Sequence, residues 1–202
     1  MRLRSGHTMR DVAVVGVGGQ GIILATDVIA TAFLKAGFDV KKSEVHGMAQ
    51  RGGSVQSHIR IHPERVHSPL IPEGSADVLL ALEKMEALRH AGATADDGLI
   101  IYSTVEIPTP AMSIAGNPYP RDIDRRLEKL PADLLPADAL GLARELGDLR
   151  VANTVLVGAL SLFTDVPQPA WEEVLSARVP PEAVEVNLRA FAAGRKLAAD
   201  SL

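Results

Sequence analysis

Residues 11–25 read DVAVVGVGGQGIILA, an apolar run that stops at four glycines and passes directly into a helical pattern. This order is typical of a buried parallel strand, a tight turn and a helix whose N-terminus favours an anion. The glycines include the spacing G-x-G-x-x-G of nucleotide-binding turns. Open sheets also use such turns for tight geometry alone, so both interpretations stay open. The candidate ligand-binding residues of this turn are Gly16, Gly18, Gly19, Gln20 and Gly21.

Length and composition exclude several classes of protein. The 202 residues suit a single domain over 1–202, with a flexible leader expected at 1–9. Hydrophobic residues make up 47% and aromatic residues 3%, which predicts an aliphatic core and disfavours a base-stacking surface. The formal net charge of -4 gives no attraction to nucleic acid or to an anionic membrane. The chain has no cysteine, which excludes cysteine-held iron–sulfur clusters on it and fits a cytoplasmic location.

The hydrophobic pattern alternates strands with helices, which indicates an α/β fold. We expect three layers (α/β/α) with a mainly parallel, partly mixed sheet, a Rossmann-like start and extra C-terminal helices. A helix over 21–36 should lead to a second, parallel strand over 38–45. An alternating strand at 55–61 with a hairpin partner at 66–68 would add an antiparallel element. Further strands are expected at 76–82, 98–103 and 132–135, further helices at 83–91, 121–129, 137–146, 152–163, from 169 and at 182–199, and an irregular loop at 104–120.

A second glycine-rich stretch follows the second strand and forms the other half of the candidate site. Gly52 and Gly53 allow successive amides to converge around an anion, and Arg51 can add a forked donor for phosphate or carboxylate. Since the carboxyl ends of parallel strands share one edge, this stretch should face the first glycine turn. The alternative is a structural turn in which Arg51 pairs with Glu44. The candidate ligand-binding residues here are Glu44, His46, Gln50, Arg51, Gly52, Gly53 and Ser54.

The chain offers no recognisable catalytic set. An NAD(P)-dependent enzyme needs an acidic residue after the second strand for the ribose, and Glu44 stands near that place. A glycine-rich loop follows it instead of a helix, which disfavours that interpretation. His46 and His58 have no partner at metal-ligand spacing, so no metal site is predicted. There is no G-x-S-x-G elbow and no P-loop lysine, and the catalytic residues stay unassigned.

Several motifs together resemble the gamma-type domain of the 2-oxoacid:ferredoxin oxidoreductases. The likeness is closest to the beta subunit of the indolepyruvate ferredoxin oxidoreductases, and it extends from about residue 11 to the last helix. The motifs are GVGGQG at 16–21, SEVHGMAQRGGS at 43–54, SPLIP at 68–72, ADVLLALE at 76–83 and RVANTVLVGA at 150–159.

The resemblance implies a subunit of an enzyme that decarboxylates a 2-oxo acid on thiamine diphosphate. That enzyme passes electrons through iron–sulfur clusters to ferredoxin and forms an acyl-CoA. The chain has neither cysteine nor a G-D-G…N-N stretch, so the thiamine diphosphate, the magnesium and the clusters would lie on a larger alpha subunit. The glycine loops would contact coenzyme A, and the chain alone would be inactive. The substrate would be an aryl-pyruvate such as indolepyruvate.

Two other hypotheses stay open beside this one. The chain would be a stand-alone NAD(P)-dependent oxidoreductase if the first glycine turn binds a dinucleotide. It would be a non-catalytic module for a phosphorylated metabolite if the two loops form only a binding site. The residues also leave open whether the loops contact a ligand, the neighbouring subunit or both.

Overall fold

The computed structural model describes residues 11–46 and 52–202, so the leader expected at 1–9 lies outside the described residues. The strands are β1 (Asp11–Val17), β2 (Asp39–His46), β3 (Ser54–His62), β4 (Ala76–Ala81), β5 (Thr94–Ser103) and β6 (Asp133–Ala137). The helices are α1 (Ile22–Lys35), α2 (Lys84–Arg89), α3 (Pro110–Ala115), α4 (Ile123–Leu127), α5 (Ala139–Glu145), α6 (Ala152–Ser161), α7 (Gln168–Arg178) and α8 (Val184–Asp200). These elements form the predicted α/β fold.

The six strands form one mixed sheet in the order β2-β3-β1-β4-β5-β6. β1, β4, β5 and β6 pair in parallel, whereas β3 is antiparallel to both of its neighbours, β1 and β2. β2 therefore runs parallel to β1, as the helical connection predicts. However, β3 lies between them, so β2 is an edge strand two positions away from the glycine turn.

The predicted hairpin partner at 66–68 is wrong, because β3 pairs with β2 and the chain after His62 is not a strand. Side chains satisfy the backbone donors of this segment. His62 Nδ1 accepts from the amides of Glu64 and Arg65 at 3.0 and 3.1 Å, and an Asp39 carboxylate oxygen accepts from the Val66 amide at 2.7 Å. The two bonds to His62 are local and compete with strand pairing, and the bond from Val66 to the distant Asp39 removes a further donor.

Helices cover both faces of the sheet, and alternate residues of β1 enter the two cores. Val12 and Val14 pack with the α1, α6, α7 and α8 side, whereas Ala13 and Val15 pack with the α2 and α4 side. Trp171 of α7 is fully buried, with ring-centroid distances of 6.0 Å to Phe33 and 6.2 Å to Phe191. The C-terminal helices thus close the larger core, as expected for additions to a three-layer fold.

α6 is buried from Asn153 to Ser161 and crosses α8 at two glycines. A Cβ at Gly158 would overlap the Phe191 carbonyl oxygen and lie 2.9 Å from the Phe191 carbonyl carbon. A Cβ at Gly194 would in turn overlap the Val155 carbonyl oxygen. The two backbones therefore touch in a way that no other residue type permits.

The long connection at 104–120 is not wholly irregular, because it contains α3. Thr109 caps this helix, its Oγ1 accepting from the Met112 amide at 3.2 Å, and Pro110 stands in the first turn. Gly116 ends the helix with a φ of 64°. The expectation of an irregular loop overlooked that Thr-Pro is a helix start and glycine a helix stop.

Candidate functional site

The first glycine turn joins the end of β1 to the start of α1. Gly19 and Gly21 have φ values of 107° and 78°, a left-handed conformation that favours glycine. Two of the turn's amides serve the turn itself: Gly18 donates to the Gly53 carbonyl oxygen at 2.9 Å, and Gln20 donates to the Val17 carbonyl oxygen at 3.1 Å. The backbone amide of Gln20 is thus already bonded within the turn and does not point at a ligand.

The Gln20 side chain braces the turn between two strand ends. Its Oε1 accepts from the Val17 amide at 2.7 Å, and its Nε2 donates to the Leu82 carbonyl oxygen at 2.7 Å. A Cβ at Gly16 would lie 2.8 Å from that Oε1 and 3.0 Å from the Leu82 Cβ. Gly16 therefore makes room for the brace, and both residues act on the shape of the turn.

The second glycine stretch meets the first turn through its last residues. Gly53 accepts the bond from Gly18, and Ser54 lies opposite Val17 in the β1–β3 pair. Gly52, with a φ of 73°, precedes them. His46 ends β2 by pairing with Val55. Gln50 and Arg51 lie outside the described residues.

Glu44 lies away from the first glycine turn. It is on the edge strand β2, one strand removed from β1, and its carboxylate is 2.7 Å from Lys42 Nζ. The same Lys42 Nζ donates to Asp27 of α1 at 2.6 Å. Because β3 stands between Glu44 and the turn, Glu44 does not occupy the ribose position of a dinucleotide fold.

Ser54 belongs to a polar cluster on the α2 face of the sheet. Its hydroxyl donates to the buried Glu86 carboxylate and lies 3.0 Å from His90 Nε2. Arg89 Nη1 is 2.7 Å from the same carboxylate. Burial by itself raises the pKa of Glu86, but the hydrogen bonds from His90 and Ser54 and the charge of Arg89 lower it below its usual 4.5. The cluster anchors the start of β3.

Glu86→Gln should destabilise the fold at neutral pH by about 1–2 kcal/mol, because a buried carboxylate with three donors is lost. A lowered folded pKa contributes stability that is complete above pH 4.5 and is lost as pH falls through the folded value. The difference in the free energy of unfolding between the wild type and Glu86→Gln should therefore shrink toward zero in acid. Urea unfolding at pH 7 and below pH 4 measures it, with the exposed Glu64→Gln as control. A difference that is independent of pH would contradict the assignment.

A cleft of about 320 Å³ opens beside the glycine turn at the carboxyl ends of β1, β4 and β5. From β1 the chain continues to β2 at one edge of the sheet, and from β4 it continues to β5 toward the opposite edge. The cleft therefore lies at the topological switch point, the place where open α/β sheets bind ligands. Its wall is mainly apolar, with polar groups near the turn. The lining residues are Gly19, Gln20, Leu82, Ser103, Val105, Ile107, Leu140, Leu149, Arg150, Ala152, Asn153 and Leu156.

Asn153, in the first turn of α6, ties this helix to the glycine turn. Its Nδ2 donates to the Gly21 carbonyl oxygen at 3.1 Å, and a Cβ at Gly21 would overlap that amide group. Thr154 continues the contact by donating to Asn187 Oδ1 of α8 at 2.7 Å. The sequence prediction missed Asn153 as a site residue. The available signal was a polar Asn-Thr pair at the start of an otherwise apolar, central helix.

Arg150 stands at the mouth of the cleft and was also missed. Its side chain is 87% exposed, yet it is fixed by Asp148, with Nη2 to Oδ2 at 2.7 Å and Nε to Oδ1 at 2.9 Å. The Arg150 guanidinium lowers the pKa of Asp148 to about 2, so the pair persists over the physiological pH range. The cleft therefore combines an apolar wall with a preoriented cation.

The pyruvate ferredoxin/flavodoxin oxidoreductase family matches this chain over residues 11–197. The chain belongs to this family. It is 40% identical to indolepyruvate oxidoreductase subunit IorB of Pyrococcus horikoshii over 197 residues, covering 95% of this chain and 97% of the relative. Identity to 2-oxoglutarate synthase subunit KorC of Methanothermobacter marburgensis is 31% over 191 residues, covering 93% and 96%. The chain is accordingly a subunit of a 2-oxoacid:ferredoxin oxidoreductase, a multi-subunit enzyme.

Solved structures of this family share the fold. The gamma subunit of keto/oxoacid ferredoxin oxidoreductase from Geobacter sulfurreducens superimposes with a TM-score of 0.71 at 25% identity, covering 95% of this chain and 99% of that subunit. The 2-oxoglutarate:ferredoxin oxidoreductase of Magnetococcus marinus gives 0.75 at 23% identity, covering 96% of this chain and 32% of that longer chain. The predicted gamma-type resemblance is confirmed.

Side chains that could bind a metal ion are not clustered in the described part of the chain. Between 11 and 46 and between 52 and 202, no three His, Cys, Asp or Glu side chains form a group that could hold an ion. Iron–sulfur clusters do not fit the chain at all, since it contains no cysteine. Within the same residues, no helix has the length and apolar character to cross a membrane.

Proposed function

We propose that this chain is the small subunit of an indolepyruvate-type, thiamine diphosphate-dependent 2-oxoacid:ferredoxin oxidoreductase. In this proposal it forms one gamma-type domain that packs against a larger alpha subunit in the cytoplasm. The observation that carries the substrate class is the identity of 40% to an indolepyruvate oxidoreductase subunit, against 31% to a 2-oxoglutarate synthase subunit over nearly the same length.

The proposal assigns the redox chemistry to the larger subunit. Thiamine diphosphate with magnesium would supply the decarboxylation of the 2-oxo acid, and iron–sulfur clusters would carry the electrons to ferredoxin. Cysteine is the usual ligand of such clusters, and this chain has none. What this chain contributes is the cleft, whose floor is fixed by Gln20 and Asn153.

Coenzyme A is the ligand that we propose for the cleft, where it would supply the thiol that accepts the acyl group. The donor set suits it: Arg150 offers a cation for phosphate, the Gly19 turn opens α1 at its positive end, and Leu82 and Leu156 belong to the apolar wall. The oxidoreductase of Magnetococcus marinus, which has this fold, was solved with coenzyme A bound.

Arg150→Ala should raise the KM for coenzyme A of the assembled enzyme about tenfold, because one charge-assisted phosphate contact is lost. The melting temperature should not change, since the side chain is exposed. Steady-state kinetics with varied coenzyme A measures the effect, and Arg126→Ala, at an exposed position of α4, serves as control. An unchanged KM, or an equal increase in the control, would argue against this role.

The stand-alone NAD(P) hypothesis is disfavoured by the insertion of β3 between the glycine turn and Glu44. It makes a separate prediction, namely micromolar NADH binding that Gly18→Val abolishes. The proposal predicts instead that the tagged chain co-purifies with a larger subunit whose visible absorption shows iron–sulfur clusters. Isolation of the chain alone from its native host, with saturable NADH binding, would refute it.

A further inference from the structure

The long connection between β5 and α4 has a composition unlike the rest of the chain. Residues 107–120 contain no Asp, Glu, Lys or Arg, although charged residues make up 23% of the chain. Residues 113–118 are nevertheless all exposed, and Ile114 is exposed at 88%. An exposed surface without charge is typical of the core of a protein–protein interface, where charged residues are depleted.

One buried carboxylate holds the two ends of this connection together. Glu83 Oε1 accepts from the Ile107 amide at 3.1 Å and from the Tyr119 hydroxyl at 2.6 Å, which joins the two ends of the protruding segment. Burial and the hydrogen bond to Glu83 raise the pKa of Tyr119, so its hydroxyl stays a donor. The residues between these two anchors form the tip, defined as residues 108–118.

The tip emerges at the carboxyl edge of the sheet, because it follows the carboxyl end of β5. Val105 and Ile107 at its base line the cleft. Three other exposed apolar side chains lie at this same edge: Ile23 in the first turn of α1 at 55%, Val45 near the end of β2 at 50% and Leu149 at 53%. With Ile114, four of the seven exposed large apolar side chains of the described residues thus lie at the edge that carries the cleft, and the other three are Leu34, Leu70 and Leu202.

We infer that the tip is the anchor by which this chain docks onto the larger subunit, with Ile114 entering an uncharged, apolar groove of that partner. The inference rests on the proposed function for the identity of the partner. A proline-rich segment clamped at both ends loses little conformational entropy on binding, which favours a rigid anchor. Docking by this edge would also bring the larger subunit against the mouth of the cleft.

Equilibrium binding between the full chain and the separately purified larger subunit tests the inference. Ile114→Asp should weaken binding at least about 100-fold and Ile114→Ala about tenfold, as for a central hydrophobic anchor. Tyr119→Phe should weaken it about fivefold by loosening the clamp. Leu34→Asp, which places the same charge on a different exposed apolar side chain near the end of α1, should have no effect. Fluorescence of the single Trp171 verifies that each variant is folded.

The outcomes separate this inference from the proposed function. If the wild type binds and Ile114→Asp binds equally well, the tip is not the anchor, whereas the proposed partner stands. If the wild type does not bind the larger subunit, both ideas fail. If Ile114→Asp only dissolves a dimer of the free chain, the tip serves a second copy and the inference is overturned.

Discussion

Gly194→Ala should destabilise the fold by about 3 kcal/mol or more, the largest effect expected of a single methyl group in this chain. The added Cβ would overlap the Val155 carbonyl oxygen and lie 2.8 Å from the Val155 carbonyl carbon and 2.9 Å from the Ala159 nitrogen. These are backbone atoms of a buried helix, so no side-chain rotation relieves the overlap. α6 and α8 would have to separate, which opens the core around Phe191.

Urea and thermal unfolding followed by Trp171 fluorescence measure the change, because Trp171 stacks on Phe191 of α8. The melting temperature should fall by about 6–12 °C for 3 kcal/mol in a domain of this size. Gly92→Ala is the matched control, since its Cβ would meet only Glu73 Oε1 at 3.4 Å, an ordinary contact. Equal stability of the two variants would contradict the close helix crossing.

Glu83→Ala should lower the free energy of unfolding by about 3–5 kcal/mol, because the fully buried carboxylate accepts hydrogen bonds from three donors. Besides its two bonds to Ile107 and Tyr119, Glu83 caps α2 by accepting from the Glu86 amide at 2.9 Å. Alanine leaves these donors unsatisfied, removes the helix cap and frees the base of the tip.

The stability of Glu83→Gln should lie between those of the wild type and Glu83→Ala. Its amide oxygen can still accept the hydrogen bonds made to one carboxylate oxygen, whereas its NH₂ group would face the donor or donors bound to the other. Glu73→Ala, on an exposed side chain, should stay within about 0.5 kcal/mol of the wild type. Thermal unfolding and limited proteolysis at 108–118 are the measurements. A Glu83→Ala variant as stable as Glu73→Ala would show that the three bonds contribute little.

Much of the fold followed from the sequence because local chemistry agreed with tertiary structure. The valine run, the glycines and the helical period placed β1 and α1 to within a residue or two. The strand predicted at 66–68 did not form, because the Val66 amide donates to Asp39, 27 residues away in sequence, and the turn before it is fixed by His62. α3 was missed because the four prolines of 104–120 indicate irregular backbone.

Of the residues predicted for the site, Gly19 and Gln20 line the cleft, whereas the sequence interpretation did not include Asn153 and Arg150. The glycine spacing indicates a turn, but it does not show that the Gln20 side chain bonds to the backbone of the turn instead of a ligand. Nor does it show that β3 separates Glu44 from the turn. Asn153 at the start of α6 and Arg150 just before that helix reach the cleft from more than 120 residues further along the chain. Such long-range contacts depend on the packing of the α6 helix, and single-residue patterns do not encode it.

The most direct test of the proposed function is reconstitution of the enzyme from the larger subunit and this chain. We expect reduction of ferredoxin by indolepyruvate and coenzyme A to require both polypeptides, and kcat/KM for indolepyruvate to exceed that for 2-oxoglutarate at least about tenfold. Reduction by either polypeptide alone at the full rate, or a preference of the complex for 2-oxoglutarate, would contradict it.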